Sequence, residues 1–462
     1  MDHPKFAGKH VYVMGLGRFG GGVGVTRFLA EQGATVTVGD TGNRQSLAES
    51  IDQIKDLIDA SVVNLQLGEH EESDLNGVDI LVVNPAVPMP WTNSFILYAL
   101  SNGVEVTTEI EMVYQLLDPA KVIAVTGSAG KSTTCAMAHH ILSKLGHDVL
   151  LGGNFGGSLL GQLEQIHAGA FVVLEVSSAM LYWLGKNGAM SCSPPAVACV
   201  TNCQPNHIDW HGSWEHYEAS KKNLVQCAAD GNAVILGEDL QEWGAQLAIE
   251  STIIGSESAI SGCAVPGKHN AKNAGIAIAA VEAMLKMHSI DIPHSTIEDA
   301  VRSYSGLEHR LALVHESQGI RYFNDSKSTV PEATVLAVEA LSDLVDLSRI
   351  HLIAGGYDKG VDLSMISGRS GELAGLYTIG DTGESIVRSC EDATGYAKYF
   401  VDLKGAMQAI KQRTREGDVV VLSPGCASWD QFTNYQHRGQ QFMELARIKV
   451  ISTGHNLDGT QL

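Results

Sequence analysis

The residues best placed to do chemistry lie in one short stretch: Lys121-Val122-Ile123-Ala124-Val125-Thr126-Gly127-Ser128-Ala129-Gly130-Lys131-Ser132-Thr133-Thr134. An apolar β-branched run leads into a glycine-rich turn, and an Ala/Met/Ile/Leu-rich helical pattern follows through about Leu145. Strand, loop and helix in that order are what a phosphate cradle needs. Glycines let backbone N–H groups close on an anion, and the helix N-terminus adds its positive end. Lys131 could then reach the β- and γ-phosphates, and the Ser132 hydroxyl could hold magnesium. The general P-loop pattern wants glycine where Val125 stands; the form present is the shorter Thr126-Gly127-x-x-Gly130-Lys131-Ser132-Thr133.

A second glycine loop stands near the start. The strand-like Val11–Met14 runs into Gly15-Leu16-Gly17-Arg18-Phe19-Gly20, a helix to about Glu31, the strand-like Thr35–Val38, then Asp40 and Thr41. G-x-G-x-x-G with an acid about 20 residues on is the dinucleotide fingerprint. Its physics is broader: the loop offers donors to a diphosphate and Asp40 an acceptor to a ribose or a base, groups that a UDP-sugar also carries. The buried run Ile80–Val83 ends in Asn84-Pro85-Ala86, a wall for the same site.

Further candidates sit at strand ends and on helices. Phe171-Val172-Val173-Leu174-Glu175 puts a carboxylate at a sheet's C-terminal edge, where ligands bind in open α/β folds and where a hard cation would find an oxygen. His207-Ile208-Asp209 and His211 could hold a metal or form a hydrogen-bonded loop. Lys221 and Lys222 read, by themselves, as helix-surface lysines. Asn270 and Asn273 share one helix face and could read an adenine edge or bond locally. Three late strand ends carry polar sets: Asn324-Asp325-Ser326-Lys327-Ser328-Thr329, Gly355 to Gly360, and Ser423 to Phe432. Three in one segment point to a shared site.

The elements that must hold these residues alternate strand with helix throughout, so the fold class is α/β with mostly parallel sheets. At about 150 residues per domain, a chain of 462 residues suggests three domains. The patterns divide it at 1–106, 107–306 and 307–462. With 44% hydrophobic and 18% charged residues the composition is that of a globular protein. A net charge of −21 speaks against coating nucleic acid or an anionic membrane. The eight cysteines show neither C-x-x-C nor disulfide-framework spacing. With no apolar leader at Met1-Asp2-His3-Pro4-Lys5 and no run long enough to span a membrane, a cytoplasmic location is expected. The polar tail from Ser452 is expected to fray.

Taken in order, these motifs resemble the Mur ligase family over the whole chain. The resemblance implies a Rossmann-like N-terminal domain, a central P-loop ATPase-type domain and a C-terminal Rossmann-like α/β domain. It implies an ATP-dependent amide ligase that joins D-glutamate to UDP-N-acetylmuramoyl-L-alanine through an acyl phosphate, releasing ADP and phosphate in peptidoglycan precursor synthesis. Carried over residue by residue, ATP falls on Gly127, Ser128, Ala129, Gly130, Lys131, Ser132 and Thr133. Asn270, Asn273, Arg310, Asp325 and Lys327 would contact the rest of the nucleotide. Two magnesium ions would use Ser132, Glu175, His207 and a carbamylated Lys221, with Lys131, His207 and Lys221 the catalytic set. A free ammonium would repel magnesium, whereas a carbamate offers it oxygen. The UDP substrate would lie on Gly15, Leu16, Gly17, Arg18, Asp40, Thr41, Asn84, Pro85, Ala86 and Asn154, and D-glutamate on Thr329, Lys359, Ser428 and Tyr435. A monomer that closes its domains on binding is expected. This sequence departs from the family's pattern at Gln204-Pro205-Asn206, Asn84, Ala86 and Tyr435, none of which removes a catalytic group. The competing readings are a folylpolyglutamate synthase-type ligase or one adding another amino acid, an NAD-dependent oxidoreductase, and a non-catalytic UDP-sugar binder.

Overall fold

In a computed structural model of the protein, residues 5–17, 20–186, 193–228, 232–247, 250–255, 260, 265–390 and 395–448 are described. Arg18 and the tail from Ser452 lie outside them.

The described strands form three sheets. The first runs β3(Val63–Leu67), β2(Thr35–Asp40), β1(His10–Met14), β4(Ile80–Val83), β5(Glu105–Thr108), all parallel. β5 crosses the boundary expected at 106. The second runs β11(Thr252–Ile254), β10(Ala233–Gly237), β9(Val197–Val200), β6(Val122–Thr126), β8(Phe171–Glu175), β7(Val149–Gly153), again parallel throughout. The third runs β12(Ala312–Ser317), β13(Ile320–Asn324), β17(Val419–Leu422), β14(Ile350–Ala354), β15(Gly375–Thr378), β16(Ala397–Tyr399). There only the β12–β13 pair is antiparallel, with a register shift between Leu313 and His315.

Sequence explains which strands are central. β4, β6, β9 and β17 are unbroken apolar or β-branched runs, β8 and β14 depart from that only at Glu175 and His351, and all six are buried at every residue. Strands covered by helices on both faces read that way. Order reverses at β1 in the first sheet and at β6 in the second, with neighbours on either side that follow in opposite directions along the chain. The crevice at such a point opens outside the strands' C-terminal ends, and both glycine loops leave from there.

Two compact units result. Residues 1–260 with 272–301 hold the first two sheets, and residues 261–271 with 302–462 hold the third. In the first unit one apolar core runs without a break from Val11, Val36 and Val82 through Ile110 and Val113 to Val122, Leu174 and Leu224. In the second, one cluster built on Leu341, Leu352 and Val421 and another on Ile353, Leu422 and Phe442 cover the third sheet. Six cysteines are described, and all are free thiols.

Leu174 lies one residue before the carboxylate that ends β8 and is 0% exposed. Leu174→Ala removes three carbons from a site with no room to collapse. It is expected to cost about 2–5 kcal/mol, read as a lower thermal midpoint; an unchanged midpoint would mean that β8 is not the packed centre of this unit.

Candidate active site

The phosphate loop forms as its residues dictate. Gly127 has φ +150° and Gly130 φ +81°, both in the region open to glycine, and Gly130 caps the helix Lys131–Lys144. Neither tolerates a side chain: a Cβ on Gly130 would stand 2.4 Å from Asn273 Oδ1, and one on Gly127 would stand 1.9 Å from Thr201 Oγ1. The strand after the loop's neighbour braces it. Ser128 N–H donates to Asn202 O at 3.1 Å, Ala129 N–H donates to Asn202 Oδ1 at 2.9 Å, and Ser128 Oγ shares a hydrogen with Tyr217 Oη at 2.7 Å. Lys131 folds back over the loop, donating to Gly127 O at 2.8 Å and Ser128 O at 3.0 Å. Ser132 and Thr133 are half-buried at the helix start.

Beside this loop two ionisable groups are buried. Glu175, at the end of β8, is 1% exposed. Its Oε1 accepts from Asn154 Nδ2 at 2.6 Å, while Oε2 is buried without a hydrogen-bond partner. Lys221, in the helix Trp214–Gln226, is also 1% exposed. Its Nζ donates to Gly127 O at 2.8 Å and Thr126 Oγ1 at 3.3 Å and sits 4.7 Å from the Tyr217 ring centroid. Burial, then the Lys131 charge, pulls the Lys221 amine down to about 7. The two adjacent lysines thus part company. Lys222 is half-buried, paired with Glu218 at 3.0 Å and 5.0 Å from the Trp243 ring centroid, whereas Lys221 is walled in by the loop.

His207 is exposed, in a left-handed conformation (φ +51°) at the start of the short helix Ile208–His211. Desolvation, with the Lys131 and Lys221 charges, holds its imidazole below the usual range despite Asp209, so its lone pair is available near neutrality. His211 turns away to Ser178 Oγ at 2.9 Å and His216 at 2.9 Å, a hydrogen-bonded cluster apart from the loop. Among the described residues no three His, Cys, Asp or Glu groups converge on one point. A cation here would instead draw on mixed oxygen donors, and the orphaned, buried Glu175 Oε2 beside a phosphate loop fits a hard divalent ion.

The first-sheet residues gather at the C-terminal ends of β1, β2 and β4 in the same unit. Asp40 accepts from Gly17 N–H at 2.9 Å and Gly42 N–H at 2.7 Å. Asn84 packs on Gly15 and accepts from Ala86 N–H at 2.9 Å. Leu16 is 0% exposed and is core; Thr41 and Ala86 are exposed and Pro85 half-buried. Trp210 Nε1 donates to Pro85 O at 3.1 Å, and Met89 N–H to Trp210 O at 3.0 Å, tying the Asn84 turn to the His207 segment. Of the asparagines in the helix Lys268–Met287, Asn273 lies against the loop, while Asn270 donates to Pro266 O at 2.6 Å and is locally engaged.

In the second unit the three polar strand ends do meet. Gly425 N–H donates to Ser328 O at 3.1 Å and Tyr357 N–H to Ala427 O at 2.9 Å. Arg438, fully buried, ties the first and last of them together with bonds to Ser326, Cys426 and Ala427. Nothing in the sequence singled out this arginine, one helical residue among many. Asp325 is 9% exposed, accepting from Leu311 N–H at 3.1 Å and Ser423 Oγ at 2.7 Å, and desolvation raises it to about 7. Lys327 lies 5.4 Å from the Tyr435 ring centroid, and Lys359 5.4 Å from that of Trp429. Ser428 is buried, Thr329 half-buried and Arg310 exposed.

With this geometry in hand, comparison with known proteins is decisive on the family. The model of the MurD-like N-terminal domain of Mur ligases matches residues 9–108, that of the Mur ligase middle domain residues 125–253, and that of the Mur ligase glutamate ligase domain residues 309–426. The chain belongs to the Mur ligase family. A relative from Roseiflexus sp. (strain RS-1), named UDP-N-acetylmuramoylalanine-D-glutamate ligase, is 32% identical over 96% of this chain and 99% of its own. One of the same name from Acetivibrio thermocellus is 32% identical over 96% and 97%. Solved structures of similar fold include the UDP-N-acetylmuramate-alanine ligase of Thermotoga maritima (TM-score 0.56, 18% identity, 94% of this chain and 98% of that one). Another is the MurF ligase of Thermotoga maritima in complex with ADP (TM-score 0.54, 14% identity, 89% and 94%).

The loop lysine lies over its own loop rather than inside the core, so Lys131→Ala leaves the packing intact. The variant is expected to keep its thermal midpoint and lose ATP turnover by about 10³-fold or more, measured as phosphate release. Turnover like that of the unaltered protein would remove the loop from the reaction.

Proposed function

We propose that this Mur ligase joins D-glutamate to UDP-N-acetylmuramoyl-L-alanine at the expense of ATP, in peptidoglycan precursor synthesis. The observation that carries the reading is the relative of that name, matched at 32% identity over 96% of the chain. The buried Glu175 and Lys221 beside a phosphate loop support it as chemistry.

The alanine carboxylate attacks the γ-phosphorus, ADP leaves, and an acyl phosphate forms. The D-glutamate amine then adds to the acyl carbon, loses a proton, and phosphate departs as the amide closes. Gly127 to Thr133 hold the phosphates through backbone N–H groups, and Lys131 swings from its two carbonyls onto the transferring phosphoryl group. Magnesium, held by Glu175 Oε2, Ser132, His207 and Lys221 as its carbamate, would supply positive charge to the phosphoryl oxygens. Lys221 reaches that state when its neutral amine adds to carbon dioxide and releases one proton. In this reading Asn270, Asn273, Arg310, Asp325 and Lys327 bind the rest of ATP. The UDP end lies on the Gly15–Gly17 loop with Arg18, Asp40, Thr41 and Asn84 to Ala86. Thr329, Lys359, Ser428 and Tyr435 receive D-glutamate, and Lys359 matches a second carboxylate. The working form is a cytoplasmic monomer.

The direct test is phosphate release with ATP, magnesium and UDP-N-acetylmuramoyl-L-alanine while each amino acid is added in turn. Release that needs D-glutamate is expected; release driven by another amino acid would overturn the glutamate assignment. Lys221→Ala should release no phosphate and recover part of its rate with a short carboxylic acid that fills the space of the carbamate. Full activity without the acid would sink the carbamate.

A further inference from the structure

The contact that the proposed reaction leaves unexplained is the one between Asn154 and Glu175. β7 and β8 pair in parallel with Gly153 opposite Glu175. Gly153 has φ +89°, and a Cβ there would stand 2.2 Å from Glu175 O. A glycine is therefore what lets the chain close on the end of β8. The next residue then grips Glu175 twice: Asn154 N–H donates to Glu175 O at 2.9 Å, and Asn154 Nδ2 donates to Glu175 Oε1 at 2.6 Å. The backbone contact fixes where Asn154 stands. The side-chain contact fixes which carboxylate oxygen is taken, and so which one, Oε2, is left buried and unpartnered.

We infer that Asn154 is a positioning residue for the divalent cation. Its amide locks the Glu175 carboxylate with Oε2 reserved for the metal, and its exposed remainder is left for the sugar-peptide substrate. This rests on the ligase reading above. Asn154 itself is exposed while its partner is 1% exposed. One amide hydrogen and both lone pairs of Oδ1 remain beyond the Glu175 bond. A single side chain therefore joins the surface where a substrate arrives to the buried oxygen that a cation needs. Groups that orient a metal's ligand typically matter to metal affinity by about 10–100-fold, and a carboxylate with a free rotamer would have to be ordered by the cation itself.

The test uses Asn154→Ala and Asn154→Leu; the leucine keeps the bulk and neither variant can donate. Both keep the backbone bond to Glu175 O. Manganese, an electron-paramagnetic substitute for magnesium, is titrated into the full chain with ADP and the free-ion signal is followed. Metal-free ADP binding and thermal midpoint are measured alongside. Both variants are expected to weaken manganese binding about tenfold or more and to raise the half-saturating magnesium for phosphate release in parallel. Metal-free ADP affinity and midpoint should stay as they are. Metal affinity unchanged within about twofold, with only the KM for the UDP substrate raised, would make Asn154 a plain substrate contact and overturn the inference. Parallel loss of midpoint and metal-free ADP binding would make it merely structural and overturn it too. If the unaltered protein releases no phosphate with any amino acid, the ligase reading falls, and the manganese titration still decides the role of Asn154.

Discussion

Burial of two ionisable groups at the C-terminal edge of the central sheet is the constraint from which the rest of the first unit follows. Taking an ion out of water costs several kcal/mol even after relaxation, and both Glu175 and Lys221 are 1% exposed. They feel one another electrostatically, yet each takes its hydrogen bonds elsewhere, Lys221 from the loop and β6, Glu175 from Asn154. A chain can hold such groups only if the surrounding structure over-determines them. β6 and β8 are buried at every residue, and the loop is braced from Thr201, Asn202 and Tyr217. The rigidity of the core thus keeps Glu175 Oε2 buried and unpartnered, and fixed polar groups of that kind are the preorganisation that phosphoryl transfer rewards.

The second unit solves a related problem differently. Two of its three strand-end loops turn carbonyls inward, and a buried guanidinium satisfies them. Arg438 reaches Ser326, Cys426 and Ala427 at once, a planar fork that lysine could not imitate. Desolvation lowers its pKa to about 10, so it remains charged near neutrality. Asp325, close enough to feel that charge, is nonetheless raised to about 7, because burial outweighs the hydrogen bonds and cations that favour its ionised form. The outer side chains of these loops, with Lys359 over Trp429 and Lys327 over Tyr435, stand on that internal frame.

What could be read from the sequence is what is local. The run Val122–Thr126 and the glycine turn after it announce a strand and an anion loop, because a period and a positive φ are written in consecutive residues. The unbroken apolar strands were legible for the same reason. Short or half-exposed edge strands, β3, β11, β12 and β16, carry no such signature; β12 alternates imperfectly across its register shift. Lys221 was legible only through resemblance. Nothing in Ser220-Lys221-Lys222 says which lysine is walled in, since the wall is a loop 94 residues away. Arg438 and the Asn154–Glu175 bond were hidden likewise, the second because its partners are 21 residues apart, one just past β7 and the other at the end of β8.

The first glycine loop shows where a motif's meaning stops. G-x-G-x-x-G with a following acid suggests a dinucleotide because the acid usually meets a ribose. Here the Asp40 carboxylate accepts from Gly17 and Gly42 N–H, one oxygen each, so its first task is to hold the loop open in shape. Each oxygen keeps a further lone pair for a ligand's hydroxyl or imide. A nicotinamide dinucleotide and a uridine diphosphate sugar can both use that arrangement, and the fingerprint alone does not choose between them. The choice comes from the family, whose model of the MurD-like N-terminal domain matches residues 9–108. The Asn84 turn on one wall of this loop is also bonded through Pro85 and Met89 to the segment carrying His207, so the two segments are held together. A hydride-transfer cofactor would also leave the glycine loop Gly127–Gly130 of the same unit without a part to play.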